Sequence, residues 1–70
     1  MRLSARNQLK GKVLSITHGA INSEVVIEVA PGVKITAQVT TNSVHSLGIK
    51  EGGIAYALVK ADSVMIGVDD

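Results

Sequence analysis

Pro31-Gly32-Val33-Lys34-Ile35-Thr36-Ala37-Gln38-Val39-Thr40 holds the strictest alternation in the chain: Val33, Ile35, Ala37 and Val39 are apolar, and the residues between them are polar. A period of two marks a strand with one face on a core and the other in water. Pro31-Gly32 is a turn signal, because proline presets the backbone for one corner and glycine tolerates the other. Just upstream, from Asn22 to Val29, the run Val25-Val26-Ile27 puts apolar groups on both faces, and Glu24 and Glu28 mark the wetter side. The two segments predict a hairpin.

Outward from that hairpin, the chain reads as more strand. Leu3 to about Thr17 forms a first strand, with a bulge or coil at Gly11, where the apolar face shifts from Leu9 to Leu14 and Ile16. His18-Gly19-Ala20 is a turn. After Thr40 the alternation breaks: Thr41 or Asn42 caps a short helix whose Val44 and Leu47 face inward, and Gly48 ends it in a left-handed conformation. Following Glu51-Gly52-Gly53, Ile54 to Lys60 is a strand, Ala61-Asp62-Ser63 a turn, and Val64 to Val68 a last strand. Valine and isoleucine dominate the apolar residues, which favours strands packed by β-branched side chains. The predicted fold is all-β: a five-stranded OB-type Greek-key barrel with one short helix between strands 3 and 4. No repeat, linker or low-complexity tract divides it, so residues 1–70 read as a single domain.

A chain of 70 residues buries a small fraction of its surface and needs reinforcement. There is no cysteine, and His18 and His45 are too few to build a structural zinc site. Oligomerisation remains, and the 46% hydrophobic content fits it, since so small an interior cannot hide that much apolar surface. A formal charge of +1 implies neither a nucleic-acid tract nor a membrane surface. No apolar run approaches the ~20 residues of a spanning helix, and no export signal is visible, so a cytoplasmic protein is expected.

The donors cluster at element ends. The opening stretch Ser4-Ala5-Arg6-Asn7-Gln8-Leu9-Lys10-Gly11 contains no carboxylate, and on an extended chain Ser4, Arg6 and Gln8 share a face. A guanidinium beside a hydroxyl suits a tetrahedral oxyanion, because both supply donors and arginine stays charged at any physiological pH. Thr40, Thr41, Asn42 and Ser43 stand at the predicted helix start, where free amides favour an anion, and Lys60 precedes the last turn.

Through these residues the chain resembles the molbindins, small molybdate-binding proteins built from the Mop or TOBE type of OB-like domain. The resemblance runs through the opening motif, Asn42-Ser43-Val44 with Leu47-Gly48, and Val59-Lys60-Ala61 with Val64-Met65-Ile66. It implies a homohexamer, a trimer of dimers, that binds molybdate or tungstate between subunits. One subunit would offer Ser4 and Arg6, and its neighbour Thr40, Ser43, Lys60 and the backbone at Ala61. A second oxyanion site where subunits meet around a threefold axis would involve Gly19, Ala20 and Ile21. The metal would have no direct bond to protein, and no organic cofactor is implied. A free-standing module of this kind, with no helix-turn-helix or phosphate loop, points to storage or buffering of the oxyanion.

Plainer readings exist for the same residues. Arg6 alone would be a solvated surface residue, Lys60 beside Asp62 a surface ion pair, and Ser43 a helix-terminus residue satisfying an amide. His18 and His45 read as exposed turn and helix residues, because no cysteine or paired histidine completes a metal set. Ser46 next to His45 makes no catalytic pair, since adjacent helical residues face apart. The chain is therefore not expected to be an enzyme. Two other classes compete: a ligand-free oligomerisation module, and a nucleic-acid OB module, which stacks bases on aromatics in a basic groove, whereas Tyr56 is the one aromatic here.

Overall fold

The computed structural model describes residues 4–70. Four strands, β1 (Asn7–Thr17), β2 (Asn22–Ala30), β3 (Val33–Thr40) and β4 (Ile54–Val59), form one antiparallel sheet in the order β3-β2-β1-β4. Helix α1 (Thr41–Leu47) follows β3, and a 3-10 turn (Ala61–Ser63) follows β4. The expected hairpin is β2–β3, with Val25 opposite Ala37 and Ile27 opposite Ile35. Gly32 turns it at a φ of 75°, in the left-handed region that glycine enters at no steric cost.

Alternation decides which face is inside. Val13, Val25, Ile27 and Ala57 point into the concave side, where Val44 of α1 covers them, and Ile35, Val39, Ile49 and Ala55 pack around this core. The helix is short, and Val44 is its single buried residue; Leu47, expected to face inward with it, is 74% exposed. Thr40 is its N-cap, its hydroxyl accepting the Ser43 amide at 3.1 Å, one residue before the Thr41 or Asn42 expected. Thr41 is otherwise engaged: its hydroxyl donates to the Gly19 carbonyl at 2.7 Å, and its amide donates to the Ile21 carbonyl at 2.8 Å. Gly48 ends the helix at a φ of 65°, as the sequence predicts.

Three expectations about the strands need correction. The irregularity in β1 lies between Val13 and Ser15, not at Gly11. Gly11 instead sits under its neighbour: a Cβ there would overlap the Ile27 side chain and stand 2.5 Å from the Glu28 carbonyl oxygen. The pairing of β1 with β4 ends at Lys12, and beyond it β1 amides find other acceptors, Val13 at the Gly53 carbonyl (2.9 Å) and Ile16 at Glu51 Oε1 (3.3 Å). The first strand also starts later, at Asn7, because Ser4 to Arg6 are not paired, and Leu3 lies outside the described residues.

The third correction concerns the fifth strand, and hence the closed barrel. Val64 to Val68 forms no strand, and the sheet is a curled, four-stranded half-barrel. The segment has strand-like composition, but a strand requires a neighbour to satisfy its backbone, and none among the described residues accepts it. Met65, Ile66 and Val68 are 92%, 88% and 87% exposed.

Candidate functional site

Antiparallel pairing of β1 with β4 sets Asn7 opposite Val59, so the residues just before β1 lie beside those just after β4. Ser4, Ala5, Arg6, Lys60, Ala61 and Asp62 consequently line one open cleft of about 310 Å³. Two side-chain clasps hold the segments beside it. The Gln8 amide donates to the Ala5 carbonyl at 2.9 Å, and the Asn7 amide donates to the Val59 carbonyl at 3.2 Å. Gln8 therefore holds the Ser4–Arg6 segment through its backbone instead of extending a row of donors along a strand face. Asn7 was invisible as a clasp in the sequence, since its partner stands 52 positions away.

The chemistry of this cleft is cationic on two sides and acidic on one. Arg6 and Lys60 are both exposed and free to reorient toward a ligand, while Ser4 adds a hydroxyl and Asp62 a carboxylate. The 3-10 turn fixes Lys60 relative to Asp62, with the Ser63 amide donating to the Lys60 carbonyl at 2.9 Å. A doubly charged oxyanion would meet two cations and one opposing charge.

Thr40 and Ser43 are elsewhere. Thr40 pairs with Asn22 at the far end of the sheet, next to the Thr17 end of β1. The eleven residues of β1 put about 35 Å of strand between that end and Arg6. At that end, Thr40 donates its hydroxyl to Ser43 Oγ at 2.7 Å, which leaves the Ser43 hydroxyl a proton of its own to offer. The same end holds the Gly19, Ala20 and Ile21 turn, docked on Thr41 by the two bonds described above and by Ser23 Oγ at 2.7 Å from Thr41 Oγ1. Within one chain, then, Ser4 and Arg6 share a cleft with Lys60 and Ala61, which the resemblance groups on the neighbouring subunit with Thr40 and Ser43, while Thr40 and Ser43 adjoin Gly19 to Ile21.

The structure also pairs the two histidines that the sequence leaves apart. His18 and His45 lie with ring centroids 6.1 Å apart and planes within 15°. Among the described residues no group of three or more His, Cys, Asp or Glu is placed to hold a metal ion, and no helix is long and apolar enough to cross a membrane.

The TOBE domain model matches residues 3–66. The chain belongs to the TOBE domain family. Molybdenum-pterin-binding protein 1 of Clostridium pasteurianum is 52% identical to this TOBE chain over 66 residues, covering 94% of the chain and 97% of the relative. Among solved structures, MopII from Clostridium pasteurianum superposes with a TM-score of 0.90 at 49% identity, over 96% of this chain and all of that one. The cytoplasmic molybdate-binding protein ModG, in a crystal form with molybdate bound, gives a TM-score of 0.92 at 46% identity, and the match takes in 99% of this TOBE chain and 49% of ModG.

Proposed function

We propose that this chain is a single binding module that holds molybdate or tungstate as an intact tetrahedral dianion at sites shared between copies of a homo-oligomer, a hexamer built as a trimer of dimers. The observation that carries the reading is the separation of the donors: Arg6, Lys60 and Ser4 line one cleft, and Thr40 and Ser43 stand at the other end of β1. They converge on one ion only if a second chain brings its Thr40 end to the first chain's Arg6 end. The relatives named for molybdenum or molybdate supply the ligand class.

Surface area supports the assembly. A globular monomer of 7.3 kDa exposes about 4,200 Å², whereas this chain exposes 5594 Å². The excess of roughly 1,400 Å² is larger than the ~800 Å² that one partner contributes to a standard interface. Much of it is apolar, including Ile21, Leu47, Met65, Ile66 and Val68. In this reading the Val64–Val68 segment becomes the fifth strand of a barrel when a neighbouring copy provides the edge that its own chain does not.

Binding is by donors alone, with no bond from protein to metal, and release is dissociation without reaction. Sulfate and hydrogen-phosphate are disfavoured by size, because their oxygens lie closer to the centre and leave donors out of reach; protonation discriminates little, since Asp62 and the Ser4 hydroxyl in the cleft can accept a proton. The cellular role that follows is storage or buffering of the oxyanion in the cytoplasm. Titration calorimetry with molybdate, tungstate and sulfate, run beside sedimentation of the same samples, tests this. Heat with the first two, stoichiometry below one ion per chain for sites shared on symmetry axes or one for general interfaces, and a stable oligomer are expected. A monomer with full affinity, or no heat beyond the sulfate blank, would overturn the proposal; an oligomer without heat would favour a ligand-free assembly module.

A further inference from the structure

The turn after β1 and helix α1 are locked together at one point, and that lock sets two imidazoles side by side. Thr41 donates its hydroxyl to the Gly19 carbonyl, the residue after His18, and its amide to the Ile21 carbonyl. Thr41 and His45 are four apart on α1, hence on the same helix face. The helix therefore turns His45 toward the strand end that carries His18, and the rings lie 6.1 Å apart, centroid to centroid. Both side chains are exposed, so each ring is free to rotate about its side-chain torsions while the backbone holds their separation.

We infer that His18 and His45 form a two-imidazole chelate for a divalent first-row transition ion, separate from the Arg6–Lys60 cleft and at the end of the sheet that carries Thr40, Ser43 and Gly19. With a metal–nitrogen bond of about 2.1 Å and about 1.1 Å from nitrogen to ring centre, two imidazoles on one ion place their centroids roughly 4.5 to 6.5 Å apart. The observed 6.1 Å lies at the open end of that window and the rings are stacked, with planes within 15°, so a nitrogen of each reaches one ion once the rings turn about their side-chain torsions. Imidazole suits copper, nickel and zinc and does not suit calcium or magnesium, and among the suitable ions Cu²⁺ binds most tightly. No third His, Cys, Asp or Glu completes the set among the described residues, so the remaining positions fall to water. The site is thus exchangeable, unlike a closed four-ligand structural zinc. An ion seated there ties the β1–β2 turn to α1 and stabilises the fold by linkage.

The test uses the tag-free full chain with CuCl₂, NiCl₂, ZnCl₂ and MgCl₂ alone, read by titration calorimetry, thermal melting and, for Cu²⁺, electron paramagnetic resonance. Wild type is expected to take up one Cu²⁺ per chain with nitrogen hyperfine coupling, to melt higher with Cu²⁺, Ni²⁺ or Zn²⁺, and to ignore Mg²⁺. His18→Gln and His45→Gln should each weaken Cu²⁺ binding ~10-fold or more and lose the melting shift. Arg6→Ala should keep both. Undiminished binding in the double variant, or no nitrogen coupling in wild type, would overturn the chelate; a metal-free melting change in the histidine variants with no Cu²⁺ uptake by wild type would assign the pair to packing alone.

Discussion

Replacing Arg6 with alanine removes one of the two cations in the Ser4–Asp62 cleft and takes its local charge from one net positive, counting Arg6, Lys60 and Asp62, to zero. The cleft is open and Arg6 is exposed, so the dielectric is near that of water. For a dianion about 4 Å from the guanidinium, the lost attraction is then about 2 kcal/mol, or ~30-fold in affinity. A closed interface would raise this figure and added salt would lower it, so the titration is run at fixed low ionic strength. Calorimetry with molybdate gives the affinity, and sedimentation of the same protein reports whether the assembly survives. Arg6→Lys separates charge from shape: it restores part of the affinity while losing the planar fork. An Arg6→Ala protein that assembles normally and binds molybdate within two-fold of wild type would refute the placement of Arg6 at the ligand.

Asp62→Asn removes the opposing carboxylate of the same cleft; at about 8 Å from a dianion in water it should tighten molybdate binding ~5-fold, and a weaker affinity in the same titration would mean that Asp62 positions a donor. Gly11→Ala forces a methyl against the Glu28 carbonyl and should cost about 1 to 3 kcal/mol, seen as a fall of the melting midpoint by roughly 7 °C per kcal/mol for a chain of this size. An unchanged midpoint would mean that β1 and β2 separate more easily than the register implies. Deleting residues 65–70 removes the exposed Met65, Ile66 and Val68, and sedimentation should then show dissociation toward monomer with molybdate binding lost, while an intact oligomer would take the tail out of the interface.

Wherever the controlling interaction is local, the sequence was enough. Val33 to Thr40 alternates because each residue faces opposite to the last, and Pro31-Gly32 turns whatever surrounds it, so the β2–β3 hairpin was legible outright. Gly48 was equally legible, since few residues but glycine end a helix at positive φ. Ser4, Arg6 and Lys60 stood out as donors by composition, although nothing in their spacing says that the β1–β4 ladder seats them in one cleft. The tertiary structure decided that, and with it the position of the β1 bulge, the tight approach over Gly11, the choice of Thr40 as cap, and the pairing of His18 with His45. Each depends on which distant backbone lies alongside. The tail gives the sharpest case: Val64 to Val68 is strand by composition and no strand in the single chain, because a strand is made by its neighbour's hydrogen bonds as much as by its own residues.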